Sequence, residues 1–173
     1  FNKLRLPLIV VGEGPEKDFL RKIAGPTVSV LGFQSVEKVV SLMEHCRAFV
    51  YAGIEDFGIA PVEAMAAGAP IIGLAKGGLL DTVKCSKYES SFATGILFNE
   101  QTIRSLSEAV TWFEAKKSWR DFNSESIHEW AERFSVKAFK LRFEKALMQS
   151  LSTHNEFREV GGVMDSPRGK KLY

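Results

Sequence analysis

An α/β fold, a doubly wound parallel sheet followed by C-terminal helices, is what the sequence predicts. Two observations carry this: short apolar runs alternate with helical stretches five times, and after Gln101 the pattern turns wholly helical. Leu6–Val11 is a continuous apolar run ending at Gly12, the pattern of a strand buried on both faces. Pro15–Ala24 predicts a helix that stops near Gly25-Pro26, and Val28–Leu31 the next strand, with Gly32-Phe33 as its exit. Ser35 suits an N-cap for a helix to about Cys46, with Glu37 in its first turn. Ala48–Tyr51, Pro70–Leu74 and Thr94–Phe98 complete the strands, and Lys76-Gly77-Gly78 forms a loop before a short helical turn. Ile103–Ala115 carries an apolar stripe at Leu106, Ala109, Val110 and Phe113. Phe122–Phe134 and Val136–Leu151 are two further helices, the last with Phe139, Phe143 and Leu147 on one face. One domain over residues 1–151 and a polar, disordered tail over 152–173 follow from this pattern.

The stretch Glu55–Pro70, EDFGIAPVEAMAAGAP, carries the chemistry. Asp56-Phe57-Gly58 makes a tight loop, Pro61 suits a first helical turn, Ala64 to Ala67 propagate helix, and Gly68 is placed for a left-handed stop before Pro70. Glu55 then precedes a helix, and Glu63 is expected in its first turn. The free N–H groups of Gly58, Ile59 and Ala60 can bind phosphate oxygens without a basic side chain. A carboxylate there cannot face the same phosphate: two unit charges about 6 Å apart repel by roughly 3 kcal/mol at an effective dielectric of about 20. The glutamates therefore suit hydroxyls, and a ligand with a phosphate centre flanked by hydroxyls is a nucleoside diphosphate sugar. The plainer alternative is a solvated loop charge at Glu55 and a helix-dipole partner at Glu63. What weighs against it is company. Gly12-Glu13-Gly14, Gly32-Phe33, Gly53–Gly58 and Lys76-Gly77-Gly78 all fall at the carboxyl ends of strands, where such sheets bind ligands.

Composition narrows the field. The chain has 173 residues and a net charge of +2, which points to neither nucleic acid nor an anionic membrane. No apolar run reaches the ~20 residues of a membrane span. Cys46 and Cys85 have no metal or redox spacing, and three scattered histidines argue against a histidine metal site. Three motifs mislead. Gly12-x-Gly14 lacks the third glycine of a dinucleotide fingerprint, since Lys17 stands there; Asp56-Phe57-Gly58 has no His-Arg-Asp companion; and no Gly-Lys-Ser or Gly-Lys-Thr marks a phosphate loop.

From Glu55 to Pro70 the sequence resembles the retaining glycosyltransferases of family 4, the glycosyl transferases group 1 of the GT-B fold, with its E-x7-E signature. LIVVGEGPE, VSVLGFQSVEKVVSLMEHCRAFVYAG, AKGGLLDTV and TGILFNEQTIRSLSEAV resemble further family segments in order, covering about Leu6–Leu151. The resemblance implies a Rossmann-like, donor-binding half of a GT-B enzyme. Glu55 would approach the transferred sugar, in the catalytic position, and Glu63 the ribose. The backbones of Phe57, Gly58 and Ile59 would meet the diphosphate or sugar. The loop from Leu31 to Gln34 would hold the base, partly by main-chain contacts with Phe33 lining the pocket, and Gly12 and Gly14 would let the backbone approach the nucleotide. The chain departs from the family at Asp81, where Glu is common, and Lys76 adds a charge near the site.

It also implies retention, with the acceptor attacking the face the diphosphate leaves. No cofactor or metal is expected, since no Asp-x-Asp pair occurs and a helix terminus replaces the cation. The implied partners are the nucleotide sugar and an N-terminal acceptor domain of the same polypeptide. That upstream segment would also supply the pyrophosphate-binding Arg and Lys. The expected location is the cytoplasm or the cytosolic membrane face. Uridine and guanosine diphosphate sugars both fit, and the wording of EDFGIAPVEA and TGILFNEQT implies mannose or glucose. The rival from another class is a non-catalytic nucleotide-sugar-binding or interaction module of the same fold.

Overall fold

The computed structural model describes residues 1–85, 92–115 and 120–161, with side chains of the last helix described to residue 152. It divides into two compact units, Phe1–Glu132 and Arg133–Tyr173. In the first, β1 (Leu8–Val11) pairs in parallel with β2 (Val28–Gly32). β3 (Phe49–Tyr51), β4 (Ile71–Leu74) and β5 (Gly95–Phe98) form a separate parallel sheet in that order. The expected strands are all present, but the expectation of one continuous sheet is corrected to two. The cause is topological. In doubly wound sheets of order 3-2-1-4-5-6 the winding reverses beside the first strand. The observed order matches β1 to β5 taking the second to sixth places, so β2 and β3 are consecutive in sequence without being neighbours. β1 is consequently not buried on both faces, as its apolar run suggests: Ile9 is 50 % exposed.

The second sheet is covered on both faces, because successive β4 side chains point opposite ways. Ile71 joins Met43 of α2 (Val36–His45), Ala64 and Met65 of α3 (Ile59–Ala66), Leu79 of α4 (Leu79–Thr82) and Ile127 of α6 (Ser124–Ala131) in one cluster. Ile72 and Leu74 join Ile96, Phe98 and the Val110 and Phe113 of α5 (Ile103–Ala115) in the other. Phe113, Ile71 and Leu74 are fully enclosed, each contributing about 1.5–3 kcal/mol. α1 (Lys17–Ile23) contributes no buried residue, in keeping with its place on the sparser sheet.

Local chemistry sets the helix ends. Ser35 Oγ accepts the Lys38 N–H at 3.3 Å, as an N-cap should. Gly68 has φ of 84°, and the N–H groups of Gly68 and Ala69 donate to the carbonyls of Met65 and Ala64, both at 2.9 Å. That pattern closes α3 in a Schellman motif. α6 starts two residues later than expected, because Asn123 Oδ1 caps it by accepting the Ser126 N–H at 2.8 Å. A 3-10 turn over Glu132–Phe134 follows it. In the second unit α7 spans Val136–Gly161, so residues 152–161 of the tail expected to be disordered are helical. Its remainder lies outside the described residues. Phe139 and Phe143 stack along α7 with ring centroids 5.8 Å apart.

Candidate donor-binding site

Each glycine-bearing loop leaves the carboxyl end of a strand, and hydrogen bonds join the loops in two pairs. In the first pair, the Gly12 N–H donates to the Gly32 carbonyl at 2.9 Å, and the Phe33 N–H donates to Glu13 Oε1 at the same distance. The β1–β2 register slips between Val10 and Val11, leaving Leu31 without a counterpart. This irregularity falls at the start of the loop expected to hold a base. Phe33 is 78 % exposed, which excludes a role as ordinary core. Gly14 is informative by elimination: a Cβ there would meet nothing within 4 Å, and its φ is not in the left-handed region. Neither backbone strain nor internal packing demands glycine at 14.

In the second pair, the Gly78 N–H donates to the Glu55 carbonyl at 2.8 Å. A Cβ on Gly77 would sit 2.2 Å from that carbonyl, and one on Gly78 would sit 2.4 Å from the Phe57 carbonyl. Main chain lies directly on main chain here, so glycine at both positions is what lets the turn Glu55–Gly58 close. Gly58 then caps α3 in the left-handed region, φ 84° and ψ 69°, and the helix begins at Ile59. That start moves Glu63 out of the first turn, where the sequence places it. It is the fifth residue of α3, about 6 Å along the axis from Ile59. The helix start at the Gly58–Ala60 N–H groups stands as expected, and a full turn of Ile59–Val62 is complete before Glu63 is reached. Glu55, Phe57, Ile59 and Glu63 all lie exposed around this terminus, as do Gly12 and Gly14 on the other sheet. The first N–H groups of α3 have no carbonyl one turn back to accept them.

Sequence reasoning overlooked Tyr51. Its hydroxyl donates to Glu55 Oε1 at 2.6 Å, and burial, with the bond to Glu55 and its charge, pushes the phenol up to about 12. Gly53 makes this possible, since a Cβ there would press on the Tyr51 ring and hydroxyl at about 3.1 Å. One carboxylate oxygen of Glu55 is thus engaged before any ligand arrives, and the other remains to accept a hydroxyl. The separation of four residues, from strand end to loop, was the only available signal, and it has no periodic signature. Asp81 sits exposed in the first turn of α4, and Lys76 is exposed ahead of it.

A family model described as glycosyl transferases group 1 matches residues 2–134. The chain belongs to the glycosyl transferases group 1 family. An uncharacterised glycosyltransferase of Methanocaldococcus jannaschii is 31% identical over 83 residues, 44% of this chain and 21% of that protein. Sucrose-phosphate synthase of Thermosynechococcus elongatus is similar in structure, with TM-score 0.65 and 23% identity over 84% of this chain and 38% of its own. HepE of Anabaena, solved in complex with UDP-glucose, aligns with TM-score 0.64 and 21% identity over 83% of this chain and 41% of its own. This group 1 chain therefore spans about a fifth of the curated relative and about two fifths of these solved structures. The similarities establish the α/β, GT-B-type fold expected from the sequence. Among the described residues no helix is long and apolar enough to cross a membrane.

Proposed function

We propose that this chain supplies the donor-binding half of a retaining hexosyltransferase that uses a nucleoside diphosphate sugar. The observation that carries the reading is the junction at Gly58. One turn there, closed by Gly77 and Gly78, sets Glu55 just before a helix N-terminus and Glu63 just beyond its first turn. The α3 terminus takes charge on the diphosphate, so no metal or cofactor is needed. Glu55 orients the transferred sugar through its free oxygen, Glu63 holds the ribose, and the Leu31–Gln34 loop holds the base. Gly12 and Gly14 admit the nucleotide closely. An acceptor hydroxyl attacks the anomeric carbon on the face the diphosphate leaves. The bond from that carbon to the phosphate oxygen breaks, and the acceptor proton passes to the departing oxygen.

An acceptor-binding domain preceding this one in the same polypeptide completes the enzyme, together with the basic groups for the pyrophosphate. The UDP-glucose held by the Anabaena relative supports uridine diphosphate as the first donor to test, with guanosine diphosphate beside it. The decisive measurement is nucleotide affinity of the intact polypeptide with Glu63→Gln. A loss of about tenfold or more is expected, as for a charge-assisted hydrogen bond. Unchanged affinity removes Glu63 from the ribose.

A further inference from the structure

Glu13 belongs to none of the roles above, yet two groups converge on it. Its Oε1 accepts the Phe33 N–H at 2.9 Å, twenty residues on, and pairs with Lys17 Nζ at 2.6 Å. The Lys17 contact alone would be an ordinary surface pair between residues four apart, worth little. The Phe33 contact is different, because it ties the loop after β1 to the loop after β2. The chain makes room for it. Gly32 has φ of 76°, and a Cβ there would stand 2.7 Å from Glu13 Oε1 and 2.9 Å from Lys17 Nζ. Lys17, together with the Phe33 N–H, also holds the Glu13 carboxyl below its usual range. On the loop's other side, Gln34 Nε2 donates to the carbonyls of Phe33 and Leu31, at 2.7 and 3.3 Å.

We propose that Glu13 is a positioning residue: its carboxylate fixes the Leu31–Gln34 loop through the Phe33 N–H and so sets the fit of the nucleobase. This rests on the assignment of that loop to the base. The Phe33 N–H is spent on Glu13 and is not a donor to the base. Lys17 neutralises the carboxylate, so the clasp adds little net negative charge beside a diphosphate.

The test uses the intact polypeptide, with UDP and inorganic pyrophosphate as probes by calorimetric titration and amide exchange at Phe33 without ligand. Glu13→Ala should speed Phe33 exchange and weaken UDP about five- to tenfold, leaving pyrophosphate affinity unchanged. Glu13→Gln should recover most of both losses, because its side-chain oxygen still accepts the Phe33 N–H. Wild-type UDP affinity in Glu13→Ala overturns the proposal. So do equal losses in the two variants, which would mark an effect of charge, or a parallel loss of pyrophosphate. If wild type binds neither UDP nor GDP, the site assignment fails and the nucleobase half of the proposal with it. Phe33 exchange then decides the clasp alone, and exchange unaltered in Glu13→Ala overturns that too.

Discussion

Tyr51 and Glu55 share a proton that matters at high pH. A phenol held near 12 in the fold and near 10 when unfolded keeps its proton longer in the native state. The stabilisation is full below about pH 10 and is lost as pH rises through about 12. Tyr51→Phe should delete the step near pH 12 from a phenolate absorbance titration. The same substitution should lower kcat of the complete enzyme about tenfold with little change in KM, since it releases the Glu55 carboxylate without touching the nucleotide. The glutamates themselves were legible in the sequence because proline and glycine punctuate the stretch around them. Their supports were not. Tyr51 ends a strand and Glu13 reaches across twenty residues, and neither separation leaves a trace in any local pattern.

The elements of the fold are held by a few backbone positions where only glycine fits. Gly78→Ala would drive a Cβ into the Phe57 carbonyl, and overpacking of this kind costs about 1–3 kcal/mol. Urea unfolding should show that loss, and the nucleotide should bind more weakly because the α3 terminus shifts. Gly68→Ala asks an alanine to adopt φ of 84°, at a cost of about 1–2 kcal/mol. It should lower the urea midpoint while sparing nucleotide affinity, since Gly68 lies at the opposite end of α3. Most elements could be read from the chain to within a few residues, and α5 to the residue. One limit was misjudged by far more than that. α7 runs on to Gly161 through Thr153, His154 and Asn155, whose polarity resembles that of a tail although nothing in it forbids helix.

Across the whole molecule the split between sheets could not be foreseen, because strand order is a property of pairing and not of any one strand. β1 and β3 each show one edge unpaired among the described strands, and Ile9 and Val11 are exposed beside one of them. A polypeptide extended before Phe1 to supply a parallel strand there should melt at higher temperature than residues 1–173 alone. It should also protect the β1 amides from exchange, while those on the outer side of β2 stay unchanged. Equal melting temperatures would mean that the strand goes elsewhere. The pairing of the loops follows the same division, with Gly12–Gly14 and Leu31–Gln34 on one sheet and Glu55–Gly58 and Lys76–Gly78 on the other. Under the proposed roles, base choice and sugar choice are then inherited on separate pieces of chain. A chimera that grafts residues 8–34 from a relative with a different nucleotide should change the base accepted and keep the sugar, so that the two preferences can drift independently over evolutionary time.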